Sequence, residues 1–251
     1  MKIKKRLLNS LNNKNGEVKA MALLLFCKNR YTSSTVKDFS YNKLHLCTGL
    51  HVNTIKERIK TLKNMHLVEE RNNHLTFLSV SSHNNKLNVE IPCEDMEVKE
   101  IEMALHAMRF MEIQKNKDFA KQTINLAYNP SKYEKLENVK AARKKCKLYG
   151  YNQTYTEYGL AYKTIAKKLG VSMQKAIDVV NYAISKGWVL KEKHQIQQNI
   201  AGIGITSKHA DDLIEKKFHF ITKDNCYRVM ANTYILQDIH NTSNATGIIR
   251  F

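Results

Sequence analysis

One spacing constrains this chain more than any other: a pattern of apolar residues recurs after 121 residues. Setting Gly49 on Gly170 brings Leu44 onto Ile165, Ile55 onto Ala176, Ile59 onto Val180 and Leu62 onto Ala183. The same register carries Leu67 onto Trp188 and Val68 onto Val189, with no gap. Apolar positions repeat while the polar positions between them differ. Two copies of one fold leave that trace, because a repeated core keeps its apolar positions and a surface need not. In each copy the glycine lies between two helical patterns, where a tight turn needs a residue that accepts positive φ.

The first copy occupies residues 44–80. Ile55, Ile59 and Leu62 fall at helical spacing and define one buried stripe. Asn53, Lys56, Glu57 and Lys60 lie on the opposite face, polar and mostly basic. Behind this helix, residues 67–70 and 75–80 read as two short strands joined by Arg71, Asn72, Asn73 and His74. Upstream, residues 17–31 read as a packed helix whose apolar face is Val18, Met21, Ala22, Leu25 and Phe26. Residues 32–35 break the pattern, and Ser40 stands where it can cap the next helix. Helix, breaker, helix, turn, helix and hairpin, in that order, resemble the winged helix-turn-helix family of DNA-binding domains. Residues 162–176 resemble a second helix-turn-helix, with Ser172 placed to cap its second helix as His51 does in the first copy.

The expected fold is therefore mainly α with small β-hairpin wings (α+β): two winged helix-turn-helix domains joined by a helical linker. Residues 1–16 read as a basic arm, 17–90 as the first domain, and 91–150 as the linker region. Residues 151–240 read as the second domain with an elaborated wing, and 241–251 as a loose tail. The elaboration includes Gly202 and Gly204, a short helix over 207–217, and strands either side of Lys223, Asp224 and Asn225. Within the linker, residues 94–117 carry Met96, Ile101, Leu105, Met108 and Met111 at near-helical spacing. That helix either fills a core or packs between domains or subunits. It continues over 118–128 and stops at Asn129 and Pro130. A further helix over 132–149, capped by Ser131, holds seven Lys and Arg against two Glu. Its run Arg143, Lys144 and Lys145 is a candidate phosphate contact.

The formal net charge is +18 and the pI about 9.6. Such a balance favours polyanionic partners and says nothing about fold. No apolar run approaches the roughly 20 residues that span a bilayer. The longest, residues 20–27, sits inside a helical pattern, and no signal peptide is read at the start. Cys27, Cys47, Cys93, Cys146 and Cys226 are isolated, so reduced thiols in a cytoplasmic protein are expected, with Cys47 and Cys226 as small buried apolar residues.

No catalytic pattern stands out. Gly202, Ile203 and Gly204 lack the spacing of a dinucleotide loop, and the ten histidines form no metal-binding pair. Asp211, Asp212 and Glu215 read as solvated surface. Tyr149, Tyr151, Tyr155, Tyr158 and Tyr162 lack the clustered Arg and His that a tyrosine nucleophile in strand transfer requires. The expectation is no enzyme and no cofactor.

The resemblance implies duplex DNA as partner, with self-association or the replication or transcription machinery as further partners, and no membrane. In the first reading helix Asn53, Thr54 and Lys56 would face bases, while Arg58 and Lys60 would reach phosphates. Arg71, Asn72 and Asn73 form the wing tip. In the second helix Gln174 and Lys175 would be the base readers, with Asp178 reducing their share. Tandem domains of this kind in a basic chain resemble plasmid and phage replication initiators, and the arrangement also occurs in transcriptional regulators. The alternative is a winged-helix interaction module in a nucleoprotein assembly, with only one domain on DNA.

Overall fold

The computed structural model describes residues 1–31, 33–81, 83–84, 88–151, 159–192, 195–198, 219–221, 226–229 and 231–237. The chain opens with β1 (Lys2–Lys4), α1 (Lys5–Ser10), α2 (Glu17–Arg30), β2 (Thr35–Val36) and α3 (Tyr41–Thr48). There follow α4 (Val52–Asn64), β3 (Val68–Arg71), β4 (His74–Phe77), β5 (Asn88–Glu90) and the long α5 (Val98–Tyr128). The remainder is α6 (Leu136–Tyr149), α7 (Tyr162–Leu169), α8 (Met173–Ser185), β6 (Val189–Glu192), β7 (Gln195–Gln198), β8 (His219–Ile221), β9 (Cys226–Val229) and β10 (Thr233–Leu236). The described residues are mainly helical, with small antiparallel sheets ordered β1-β5, β2-β4-β3, β10-β6 and β7-β9-β8.

The 121-residue register holds to the residue. It carries α3 onto α7, α4 onto α8, β3 onto β6 and β4 onto β7, with the same first and last positions in each pair. Leu44, Ile55, Ile59, Leu62, Leu67 and Val68 are buried, and so are all six of their counterparts. Gly49 and Gly170 both adopt left-handed φ, 65° and 70°. Pairing then diverges. In the first copy β4 closes a hairpin on β3, with Val68 opposite Phe77 and Arg71 opposite His74. In the second, β6 pairs with β10 instead, and β7 pairs with β9.

The chain forms two compact units, which run across the domain bounds read from sequence. One comprises Met1–Glu112 and Ile165–Ser185, the other Ile113–Thr164 and Lys186–Phe251. In the first unit α2 is central: residues 20–27 are all buried, more than two helical turns, so every face is covered. One side of α2 meets α4, which packs through Ile55, Ile59 and Leu62; each such burial is worth about 1.5–3 kcal/mol. Residues 1–16, read from sequence as a basic arm, include packed side chains. Ile3, Leu8 and Leu11 are buried, and β1 pairs with β5, Ile3 standing opposite Val89. The first half of α5 is core as well, with Ile101, Ala104, Leu105, Met108 and Phe110 buried.

Several local expectations need correction. Cys47 is exposed, because α3 buries only Leu44. Ser40 precedes α3 but makes no side-chain capping bond. The helix after Pro130 starts at Leu136, since a turn closed by Glu134 N–H on the Ser131 carbonyl occupies the intervening residues. The Cys226 side chain, the 207–217 helix, the 223–225 turn and the 241–251 tail lie outside the described residues.

In the second unit the later half of α5 and α6 form an antiparallel pair around Ile124, Ala127, Ala142 and Cys146. Elsewhere in this unit Leu160 N–H donates to the Asn232 carbonyl at 3.0 Å, and Gln237 N–H to that of Trp188 at 2.9 Å. A Cβ at Gly159 would overlap the carbonyl oxygens of Ala231 and Asn232. Gly159→Ala is therefore expected to lower the unfolding free energy by about 1–3 kcal/mol through overpacking. A denaturation midpoint equal to that of the parent would contradict the close approach.

Candidate nucleic-acid interface

The turn between α3 and α4 is held by short local bonds. Gly49 N–H donates to the His45 carbonyl at 2.8 Å, and the Thr48 hydroxyl to that of Leu44 at 2.7 Å. Leu50 N–H returns to Thr48 Oγ1 at 3.2 Å. His51 caps α4, its Nδ1 accepting from Asn53 N–H at 3.3 Å. With Ile55, Ile59 and Leu62 turned inward, the outer face carries Asn53, Lys56, Glu57, Lys60, Lys63 and Asn64, all exposed. The Lys56 ammonium lies 5.7 Å from the centre of the Tyr41 ring. Lys63 pairs with Glu70 at 2.6 Å, and the Tyr41 hydroxyl donates to the same carboxylate at 3.2 Å, so α3, α4 and β3 are tied together. This network fixes the pose of α4 and is not legible in the sequence, because Tyr41 and Glu70 lie 29 residues apart.

Two expected contacts lie elsewhere. Thr54 is half-buried. Arg58 is half-buried too, with Nε and Nη1 shielded from water, and burial weakens its hold on the proton while Glu102 on α5 strengthens it. Arg58 thus faces α5 rather than the outer surface. The β3–β4 turn is tighter than expected. Asn72 and Asn73 both have positive φ, 48° and 59°, the geometry of a two-residue type I′ hairpin, which asparagine tolerates. Phe39 N–H donates to the Asn73 carbonyl at 2.7 Å. Arg71 stands beside the turn, 83% exposed, in a loose ion pair with Glu69 at 3.4 Å.

The second copy keeps the frame and changes the face. Ser172 caps α8, its Oγ accepting from Lys175 N–H at 3.2 Å. Gln174 donates through Nε2 to Asp178 at 3.0 Å, and Lys175 pairs with Glu102 at 3.7 Å. In the common register Lys56, Lys60 and Lys63 are replaced by Ile177, Asn181 and Ile184. The outer face of α8 therefore carries Asp178 and no lysine. α5 is the partner that engages this copy. Arg109, buried, donates through Nη1 to the Leu169 carbonyl at 3.4 Å, at the end of α7. Asn13 donates to the Gly170 carbonyl at 3.0 Å.

On α6 the three expected phosphate contacts separate. Arg143 donates through Nε to the Ala127 carbonyl at 3.0 Å and so closes the last turn of α5. Lys144 is exposed, and the Lys145 ammonium lies 5.5 Å from the centre of the Phe119 ring. Of the tyrosines considered, Tyr149 and Tyr151 stack at 5.5 Å, and the Tyr162 hydroxyl accepts from Lys191 at 2.9 Å. Tyr155 and Tyr158 lie outside the described residues, as do Gly202, Gly204, Asp211 and Asp212. Among the described residues no group of three His, Cys, Asp or Glu could hold a metal, and no helix is long and apolar enough to cross a membrane. No family model, curated protein or solved structure matches the chain.

The polar side of α5 includes His106, which is buried with Nδ1 lacking a hydrogen-bond partner among the described residues. Burial, together with the charges of Arg109, Lys175 and Lys19, pushes its pKa from 6.5 down to about 3. The folded chain thus binds this proton more weakly than the unfolded chain. The resulting stability is fully present above pH 6.5 and drains as pH falls toward 3. By pH 5 the loss is about 2 kcal/mol. His106→Leu, which keeps an apolar filling, is expected to flatten the acid limb of a stability–pH curve. Parallel curves for variant and parent would contradict the assignment.

Proposed function

We propose that the protein is a sequence-selective duplex DNA-binding protein, not an enzyme, in which α4 and the β3–β4 hairpin do the reading. The observation that carries this is the outer face of α4. Asn53, Lys56 and Lys60 project from a helix whose back is fixed by its apolar stripe and by the Lys63–Glu70–Tyr41 network. The connectivity α2, β2, α3, α4, β3, β4, with sheet order β2-β4-β3, supports a winged helix-turn-helix reading of this part of the chain. In a major groove the Asn53 amide matches the N6 and N7 edge of adenine, and Lys56 can donate to guanine. Lys60 supplies phosphate contact, and Arg71 at the hairpin tip suits the backbone or the minor groove.

The second copy supports a different role. Its readers are engaged, Gln174 with Asp178 and Lys175 with Glu102, and its face lacks the lysines of the first. We read α7 and α8 as a scaffold on α5, which favours a chain with one reading helix over one with two. Transcriptional regulation and replication initiation, as on a plasmid or phage, both employ such a reader. Iterated copies of the bound site beside the gene would favour the initiator, and a single operator the regulator.

The test is Asn53→Ala with Lys56→Ala, both at exposed positions, measured by fluorescence anisotropy on a selected duplex. Loss of each base-edge contact is expected to weaken binding about 5- to 150-fold and to relax sequence preference. The affinity of the parent should also fall steeply with salt. Unchanged affinity with unchanged preference would remove α4 as the reader.

A further inference from the structure

We propose that the pair formed by the later half of α5 and α6 binds single-stranded nucleic acid, independently of duplex reading by α4. The two helices are pinned by Arg143 on the Ala127 carbonyl and by a small core around Ile124 and Cys146. α6 buries only Val139, Ala142 and Cys146, so the rest of its surface faces water. Residues 113–149 hold ten Lys and Arg against three Asp and Glu. Charge alone would suit any polyanion.

The aromatic residues narrow the choice. Four large aromatic side chains are exposed among the described residues, and all four are here: Phe119 (50%), Tyr128 (46%), Tyr133 (84%) and Tyr149 (58%). Backbone contact to a duplex has no use for exposed rings, because its bases are stacked inside. An unpaired strand does, since each free base can stack on a ring while lysines follow its phosphates. Two of the rings already carry a lysine, Lys145 at 5.5 Å from the Phe119 centre and Lys132 at 5.0 Å from that of Tyr133. Between the helices lies an open groove of about 270 Å³, walled by Phe119, Gln122, Leu126, Asn138 and Lys145. It offers a ring for stacking, two amides for a base edge and an ammonium for the adjoining phosphate. A membrane surface is a poorer fit. Interfacial helices separate an apolar face from a basic one, whereas Lys144 and Leu148 stand one turn apart on the same exposed side of α6.

The experiment uses the full chain and a labelled single strand of mixed sequence, about 20 nucleotides long, enough for at least one single-strand site. A random duplex and vesicles of mixed neutral and anionic phospholipid serve as the other probes. Phe119→Ala with Tyr133→Ala removes two exposed rings and leaves every lysine, and an unchanged melting curve confirms that the fold is kept. Single-strand affinity is expected to fall about tenfold or more, with duplex affinity unchanged. Lys144→Gln with Lys147→Gln is expected to reduce the salt dependence of single-strand binding, by about 0.7 in log–log slope for each phosphate that is no longer neutralised. Absence of single-strand binding, equal losses on single strand and duplex, no loss in the ring variant, or preference for vesicles over the single strand would each overturn the proposal. None of these outcomes bears on Asn53 and Lys56, so the two assignments fail separately.

Discussion

Burial of the first half of α5 takes charged side chains into the interior, and the arrangement of the first unit follows from how they are satisfied. Arg109 and Glu112 are nearly out of water, and an unpaired buried charge would cost several kcal/mol. Arg109 is answered by the Leu169 carbonyl and lies in the field of Glu17; Glu112 is answered by Lys5 at 2.6 Å. Glu102, two to three turns earlier, meets Lys175 and attracts Arg58. These partners come from α1, α2, α4, α7 and α8. One helix thereby draws α4, α7, α8 and the N-terminal strand–helix pair onto itself. Such pairs add little net stability when well made, but removing one partner is costly, so they specify which elements meet.

The repeat acquires a physical meaning in this frame. Two copies share bounds, glycine turn and buried positions, yet only the first leaves its second helix with an exposed basic face. In the second copy that face has lost its lysines, and the residues suited to reading bases are bonded to neighbours. The strands change partners as well: β6 takes β10 where β3 takes β4. Retention of a core with reassignment of a surface is what would turn a DNA reader into a scaffold.

Much of this was readable from local pattern. The apolar stripe of α4, the glycine turns and the paired asparagines of the hairpin obey short-range periodicity and backbone rules, and their positions in the fold agree with them. The 121-residue register was readable for the same reason. What escaped depends on long-range approach. Ile3, Leu8 and Leu11 are too sparse among lysines and asparagines to announce a packed segment, yet all three are buried, and β5 pairs beside Ile3. Arg58 sits among surface-type residues, yet it is half-buried and lies in the field of Glu102 from another helix. Cys47 looks like core by composition and is exposed because α3 rests on a single leucine. Gln174 and Lys175 have the right chemistry for reading bases, and the ion pair of Lys175 with Glu102 depends on an approach from another helix.

The central claim is that one reading helix, not two, addresses duplex DNA. Selection of bound duplexes from a random pool, using the full chain, tests it most directly. A single short motif, of the length one helix and its wing can cover, is the predicted result. Two distinct motifs held at a fixed spacing would contradict it, because α8 would then be reading bases despite its bonded side chains.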